Sequence, residues 1–147
     1  MATKKKEAEP RSPRHDELVA FLLAKIKEQP QQALRVFFST EDMPDPDSCK
    51  RFSVRTEHPC GYGFADICIE AVYRYVDIRV LIEVKTEHEA WSAGDVIRQL
   101  KAYSRDLRKP WDQKRQQVAI PLGFYCARPI SDVERQLFQN EDVVLLS

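Results

Sequence analysis

The fold is decided by residues 64–85, which read FADICIEAVYRYVDIRVLIEVK. In the first half of this stretch, apolar residues such as Ile67 and Ile69 alternate with polar ones such as Asp66. This two-residue period is typical of a strand with one face in a core. From Ile78 to Lys85 the residues alternate in the same way. The stretch therefore predicts two consecutive strands that pair as a hairpin, with Asp66 on the more polar face.

Three charged side chains are expected to converge across this hairpin. We expect Arg74 to face Asp77 at the turn. Counting outward then places Asp66 opposite Lys85, with Glu83 one diagonal step away. Directly opposed Cβ atoms lie about 5 Å apart and diagonal ones roughly 7 to 8 Å apart, so the three head groups can meet. A one-residue slip would turn Asp66 to the other face, which makes the register a specific prediction.

Two carboxylates beside a lysine suit metal-assisted hydrolysis of a phosphodiester. Mg²⁺ prefers oxygen ligands and is commonly held by one or two carboxylates together with substrate phosphate oxygens. Asp66 and Glu83 fit that role. Lys85 would orient or deprotonate the attacking water, or stabilise charge in the transition state. The alternative is a solvated strand face with a surface salt bridge worth under about 1 kcal/mol.

A helix is predicted after the hairpin. Ser92 and Asp95 form a capping pair at its start, and the helical pattern runs to about Arg108. Gln99 and Tyr103 are four residues apart and therefore share a face of this helix. The alternative for these two residues is an ordinary amphipathic helix with polar flanks.

Three short motifs together resemble a known family; in order they are Gly63-x-x-Asp66, Glu83-x-Lys85 and Gln99-x-x-x-Tyr103. The family is that of the PD-(D/E)XK nucleases, and the trio looks most like its RecB-type and lambda-exonuclease-like branch. The resemblance spans about residues 14–128, most of the chain. It implies the restriction-endonuclease-like fold, an αβββαβ core whose mixed sheet is flanked by helices. This chain would add a C-terminal αβ extension.

The resemblance also implies a reaction and the residues that perform it. The catalytic set would be Asp66, Glu83, Lys85, Gln99 and Tyr103. Mg²⁺ or Mn²⁺ would be held by Asp66, Glu83 and the carbonyl of Val84, and an acidic residue on the first helix, for which Glu17 is our candidate, would complete the metal shell. The implied activity is a metal-dependent deoxyribonuclease that hydrolyses DNA phosphodiester bonds by a metal-activated water, in DNA repair or recombination.

The remaining elements complete an α/β order. They are a helix from Pro13 to about Gln29, a strand at Arg51–Glu57, a strand at Val118–Tyr125, a helix at Ile130–Gln139 and a strand at Val143–Leu146. The loop from His58 to Gly63 would deliver the chain to Asp66. The predicted order is α-β-β-β-α-β-α-β, which is α/β in class with a mixed sheet.

Length and composition predict one domain. The chain has 147 residues, 43% of them hydrophobic and 31% charged, which is ordinary for a globular protein. We expect a flexible tail at residues 1–12 and a single domain at residues 13–147. No stretch has the apolar length of a secretory signal or a membrane span, so a cytoplasmic protein with reduced cysteines is expected.

Charge is the main argument against a DNA enzyme, because 23 basic and 23 acidic residues cancel. The distribution of the basic residues softens this objection. A DNA-binding surface is predicted from residues on and after the second helix, namely Arg98, Lys101, Arg105, Arg108, Lys109 and Trp111. In it the basic helix would follow a phosphate backbone and the tryptophan would stack on a base. The alternative is a solvated charged helix and a core tryptophan.

Other functions remain open at this point. One is a structure-selective or restriction-type endonuclease. Another is a catalytically inactive subunit that kept the nuclease fold for DNA binding or for assembly. Because overall charge gives no attraction to DNA, a homodimer or a partner protein could supply affinity and specificity.

Overall fold

The computed structural model describes residues 13–38, 42–60, 63–108 and 117–146. The predicted tail at residues 1–12 lies outside these ranges, as do Lys109 and Trp111 of the predicted DNA-binding surface. No helix in the described ranges has the length and apolar character needed to cross a membrane. The thiols of Cys49, Cys68 and Cys126 are free.

A six-stranded mixed sheet forms the centre of the domain. Its strands are β1 (Cys49–Cys60), β2 (Gly63–Tyr73), β3 (Val76–Lys85), β4 (Gln117–Ala119), β5 (Leu122–Cys126) and β6 (Val143–Leu146). The order across the sheet is β1-β2-β3-β5-β6, and β4 also pairs with β3. The first three strands pair antiparallel with one another, whereas β4 and β5 run parallel to β3, and β6 runs parallel to β5. The predicted α/β class with a mixed sheet is confirmed.

Helices cover both faces of this sheet. They are α1 (Pro13–Glu28), α2 (Pro30–Arg35), α3 (Ala93–Arg108) and α4 (Asp132–Asn140), with a short 3-10 turn at Pro46–Ser48. One buried cluster, the α1 cluster, joins Leu18 and Leu22 of α1 to strand residues such as Ile67. The other, the α3 cluster, joins Leu100 of α3 to Phe138 of α4 over the opposite face. The order of α1, β1 to β3, α3 and a parallel strand is the order that the resemblance implied.

Two prolines explain where the predicted elements differ from the observed ones. The first helix was expected to stop at Pro30, and it does, but Pro30 itself begins α2. Proline suits the first turn of a helix because its N–H is not needed there. The strand predicted at residues 118–125 is two strands, β4 and β5, separated by Ile120 and Pro121. Proline cannot donate to the strand pairing, although the Pro121 carbonyl accepts a hydrogen bond from Leu81 N.

The predicted register of the β2–β3 hairpin is wrong by two residues. Val72, rather than Arg74, faces Asp77, because Arg74 and Tyr75 alone connect the two strands. A two-residue shift by itself keeps regularly alternating side chains on their predicted faces, since strand side chains alternate with a period of two. Its consequence is that Asp66 comes level with Glu83 rather than with Lys85.

Candidate active site

Asp66 lies where β2 and β3 separate. The regular pairing of these strands ends at Ile67 and Ile82. Beyond this point Oδ2 of Asp66 accepts a hydrogen bond from Val84 N at 2.8 Å. The carboxylate therefore accepts the hydrogen bond from a β3 main-chain N–H that no longer pairs with the main chain of β2. Asp66 is only 3% exposed, so this contact holds a buried carboxylate against the end of β3.

A break in strand alternation turns Asp66 towards α1. Ala65 packs in the α3 cluster and Ile67 in the α1 cluster, although strict alternation would place both on one side. On the neighbouring strand β1, Glu57 lies between the residues paired with Ala65 and Ile67 and has a left-handed φ of 51°. Because this irregularity is local, the two-residue period of the sequence could not predict the direction of the Asp66 side chain.

His15 of α1 bridges two carboxylates in this site. Its Nε2 lies 3.1 Å from Oδ1 of Asp66, and its Nδ1 lies 2.9 Å from Oε1 of Glu89. The side chain is 2% exposed. Sequence reasoning missed His15, although a signal was present: it stands three residues before Leu18 and seven before Leu22, on the buried stripe of the helix.

Glu83 and Lys85 project from the same face at the end of β3, as predicted from their spacing. Glu83 is 2% exposed, and the Lys85 side chain is largely buried. The Lys85 ammonium lies 3.8 Å from Oε2 of Glu89. Because Asp66 bonds Val84 N, the structure brings the two predicted carboxylates and the predicted lysine to one end of the sheet.

Glu89 is a second site residue that sequence reasoning missed. It lies in the turn after β3, where its Oε1 also accepts a hydrogen bond from Thr86 N at 3.0 Å. Burial by itself would raise the pKa of the Glu89 carboxyl, but the hydrogen bonds from His15 and Thr86, with the charges of His15 and Lys85, together lower it. Glu89 is therefore ionised at neutral pH between two nitrogen donors.

Gln99 and Tyr103 of α3 contact each other and β2. The Gln99 side-chain amide donates a hydrogen bond to the Tyr103 hydroxyl, and the tyrosine is buried. A Cβ atom added to Gly63 would lie 2.6 Å from this hydroxyl oxygen and 2.8 Å from Cε1 of the ring. The glycine of the first motif is thus the residue that lets the tyrosine of the third motif pack against β2.

Glu17 does not join this cluster. Its side chain is 66% exposed and pairs with Arg14 at 3.4 Å. A helix turns about 200° over two residues, so His15 and Glu17 cannot face the same neighbour. The position on α1 that faces Asp66 belongs to His15, and the structure does not bring the implied acidic ligand to the site.

The basic residues of α3 lie on the other flank of that helix. At 100° per residue, the stripe formed by Arg98, Lys101, Arg105 and Arg108 is centred roughly 160° from Gln99 and Tyr103. Lys101 contacts Glu141, just after α4, at 3.4 Å, and Arg98 pairs with Asp95. The stripe therefore faces away from the candidate site, and two of its four members are engaged by carboxylates.

An acidic cleft of about 220 Å³ leads from solvent to Asp66 between α1 and β1. Its lining includes His15 and Asp66 at one end, apolar residues of α1 such as Val19, and the carboxylates of Asp16 and Glu57. Negative charge at this entrance repels phosphate, so an anionic substrate would need a compensating cation in the site.

The segment that follows Glu89 is fixed by contacts between Trp91 and Arg128. The Arg128 guanidinium stacks 3.9 Å above the Trp91 ring and donates to both carboxylate oxygens of Glu134 in α4, at 3.2 and 2.9 Å. The Trp91 ring in turn packs edge-on against Phe124. These contacts hold the segment between β3 and α3 against α4.

The Arg128–Glu134 pair predicts a loss of stability in acid. The hydrogen bonds from Arg128 and from Ser131 lower the pKa of Glu134 from 4.5 to about 2. A carboxyl with a lowered pKa in the folded state stabilises the fold above its ordinary pKa and loses this contribution as the pH falls towards 2. Glu134→Gln should therefore lower the urea midpoint at about pH 6, and the difference from wild type should shrink at about pH 3. An equal difference at both pH values would contradict the assignment.

The candidate donors at this end of the sheet suit Mg²⁺ or Mn²⁺ in chemical type. They are the carboxylates of Asp66 and Glu83, the Val84 carbonyl and the His15 imidazole, and hard cations prefer such oxygen-rich sets. Oδ2 of Asp66 accepts the hydrogen bond from Val84 N and Oδ1 contacts His15 Nε2, and a carboxylate offers about four acceptor positions in all. Within the described ranges, no three His, Cys, Asp or Glu side chains are already grouped as a metal site.

Comparisons with known proteins add one similar structure. No protein-family model matches the chain, and no curated protein matches it. Among solved structures, the chain is similar to a repair endonuclease from Pyrococcus abyssi, with 17% identity and a TM-score of 0.46. The alignment covers 94% of this chain and 48% of that one, so the chain spans about half the length of the endonuclease.

Proposed function

We propose that this protein is a Mg²⁺- or Mn²⁺-dependent deoxyribonuclease of the PD-(D/E)XK type. The observation that carries the proposal is the hydrogen bond from Val84 N to Asp66, because it holds a buried carboxylate against the residue that stands between Glu83 and Lys85 in the chain. Buried carboxylates are costly unless they are paired or bind a cation. Asp66 lines the cleft, and Glu83 and Lys85 lie at the same end of the sheet, a set of side chains that suits metal-assisted phosphodiester hydrolysis.

Asp66, Glu83 and the Val84 carbonyl would hold the ion, which when bound supplies Lewis-acid stabilisation of the phosphate. His15 takes the place that the resemblance gave to an acidic residue of the first helix, since its Nε2 is 3.1 Å from Asp66. Carboxylate and carbonyl oxygens suit both ions, but Mn²⁺, as a transition metal, also accepts an imidazole nitrogen more readily than Mg²⁺ does. This donor set should therefore favour Mn²⁺.

Lys85 would act on the attacking water. Its ammonium is held near Glu89 in a largely buried position, where a lysine can orient water or stabilise developing charge. Tyr103 and Gln99 would support the site from α3. The tyrosine packs over Gly63, and Gly63 stands three residues before Asp66 in β2. These five motif residues and His15 define the active site of the proposed nuclease.

DNA binding by a single copy should be weak. The entrance to Asp66 is acidic, the chain has no net charge, and the basic stripe of α3 lies on the opposite flank. Phosphate contacts from Lys and Arg supply most non-specific affinity for DNA. A homodimer or a partner protein would therefore supply affinity and specificity.

The proposal is tested by incubating labelled linear, circular, single-stranded and branched DNA with Mg²⁺, Mn²⁺ or EDTA. We expect cutting with the metals and none with EDTA. Lys85→Ala should cut about 10² to 10⁴ times more slowly, the usual contribution of a positioned acid or base. Lys27→Ala, which removes an exposed lysine of α1, is the matched control and should cut like wild type.

Two results would change the conclusion. Cutting in EDTA, or by Lys85→Ala at the wild-type rate, would reject the mechanism. Salt-dependent DNA binding by folded protein without cutting would favour the inactive DNA-binding subunit. The DNA form that is cut fastest would separate a structure-selective endonuclease, which prefers the branched substrate, from a restriction-type enzyme, which cuts linear and circular duplexes.

A further inference from the structure

We propose that Glu89 is a positioning residue that orients both His15 and Lys85 for the reaction, an inference that rests on the proposed function. Glu89 belongs to none of the three motifs. It lies in the turn after β3, yet its two carboxylate oxygens reach two different residues of the site. One side chain therefore links α1 to the end of β3.

The first contact determines how His15 presents its ring. Oε1 of Glu89 lies 2.9 Å from Nδ1 of His15. An ionised carboxylate only accepts hydrogen bonds, so Nδ1 carries the proton of this contact. The other nitrogen, Nε2, is then directed at Asp66. Histidine ligands of metals characteristically donate their second ring N–H to a carboxylate in this way, which fixes both the tautomer and the ring orientation.

The second contact restrains Lys85. Oε2 of Glu89 lies 3.8 Å from the Lys85 ammonium, while Oε1 is taken by His15 and Thr86 N. One carboxylate oxygen of Glu89 therefore contacts His15 of α1, and the other lies near Lys85 of β3. A flexible lysine loses rotamer freedom when a carboxylate restrains it. Less conformational entropy is then lost on ordering Lys85 when substrate binds.

The turn that presents Glu89 is itself ordered. The hydroxyl oxygen of Thr86 accepts hydrogen bonds from His88 N at 3.3 Å and from Glu89 N at 3.2 Å. Thr86 is 1% exposed, and the segment continues into Trp91, which packs under Arg128. Because Thr86 restrains the backbone before Glu89 and the packing of Trp91 restrains the backbone after it, the Glu89 carboxylate can orient His15 and Lys85.

Glu87 offers a matched control from the same turn. It pairs with Arg14 of α1 at 2.9 Å, so it connects the same two elements as Glu89 does. Its contact lies at the surface and does not reach the buried His15 or Lys85. A loss seen on removing Glu89 but not Glu87 therefore reports positioning rather than docking of α1 on the turn.

The experiment compares wild type, Glu89→Ala, Glu89→Gln and Glu87→Ala in full-length protein. In the absence of metal, proton NMR follows the Nδ1–H resonance of His15, assigned by its loss in His15→Asn. Calorimetry then measures Mn²⁺ binding. We expect Glu89→Ala to lose the resonance and to bind Mn²⁺ about 10- to 100-fold more weakly, as for other partners of metal-ligating histidines. Glu89→Gln keeps a neutral acceptor for Nδ1 and should retain the resonance, and Glu87→Ala should behave as wild type.

Two outcomes would overturn the inference. One is a Glu89→Ala protein with an unchanged His15 resonance and Mn²⁺ affinity within about twofold of wild type. The other is a Glu87→Ala protein with the same losses as Glu89→Ala, which would mean that the turn only docks α1. If wild type binds no Mn²⁺ while its His15 resonance depends on Glu89, the proposed function fails and the orienting contact is supported.

Discussion

Asp66→Ala is expected to abolish DNA cleavage, with a fall of at least roughly 10³-fold, equivalent to about 4 kcal/mol of transition-state stabilisation. The reason is that Asp66 contacts α1 through His15 and the end of β3 through Val84 N. Its removal takes away a proposed metal ligand and the contact that seats it. Initial rates on the DNA form that wild type cuts fastest, with Mn²⁺ in excess, give the measurement.

The same substitution should also destabilise the fold. A buried donor, Val84 N, loses the acceptor that the structure gives it at Asp66, and the buried His15 loses its contact with Oδ1. Leaving a buried donor unsatisfied costs about 1 to 3 kcal/mol. The urea midpoint of Asp66→Ala should therefore fall, with an unchanged dependence of the free energy of unfolding on urea concentration.

Asp66→Asn separates these two effects. The asparagine carbonyl can still accept the hydrogen bond from Val84 N, but it carries no charge for a cation. We expect this variant to recover much of the lost stability and almost none of the lost cleavage. An asparagine variant that cuts at the wild-type rate would exclude Asp66 as a metal ligand, and an alanine variant as stable as wild type would contradict the buried hydrogen bonds.

Gly63→Ala should have the second largest effect, because there is no room for a methyl group. The added Cβ would lie 2.6 Å from the Tyr103 hydroxyl and 2.8 Å from its ring, so the tyrosine must move away from β2. Movement of Tyr103 disrupts its hydrogen bond with Gln99. Overpacking of this kind costs typically about 1 to 3 kcal/mol. We expect a lower melting temperature and a loss of cleavage of about 10²-fold, since displacements near 1 Å can have this effect.

A double-mutant cycle with Tyr103→Ala identifies the cause. If the clash acts through the tyrosine, Gly63→Ala should destabilise the Tyr103→Ala protein by at least about 1 kcal/mol less than it destabilises wild type. Additive effects on the free energy of unfolding would show that the glycine is required for another reason. Its backbone conformation is not that reason, because Gly63 has no left-handed φ.

Local patterns were sufficient for most of the fold. The alternation in residues 64–85 predicted β2 and β3, and the capping pair at Ser92 and Asp95 predicted the start of α3, where Asp95 N donates to the Ser92 hydroxyl oxygen at 3.2 Å. Ser131 likewise caps α4, in a reciprocal contact with Glu134. Periods and caps are properties of neighbouring residues, so they can be read without knowledge of the rest of the chain.

The register of the central hairpin could not be read in this way. The turn residues Arg74 and Tyr75 lack the Asn-Gly or Gly-rich sequence that marks a two-residue turn. The turn sequence therefore gave no sign of the length of the connection. A two-residue shift preserves the regular faces of both strands, so Glu83 and Lys85 still share a face at the end of β3, and the convergence of their head groups with that of Asp66 stays a prediction.

The sequence by itself determined the α/β class and the order of the main elements, and it singled out the motif residues. Only the tertiary structure decided the direction of Asp66, the exclusion of Glu17 and the entry of His15 and Glu89 into the site. The difference has a physical cause. Motif spacing constrains residues along one strand or helix, whereas contacts such as that between His15 and Glu89, 74 residues apart, depend on how α1 docks against the sheet. That docking is a property of the whole core, and no local pattern contains it.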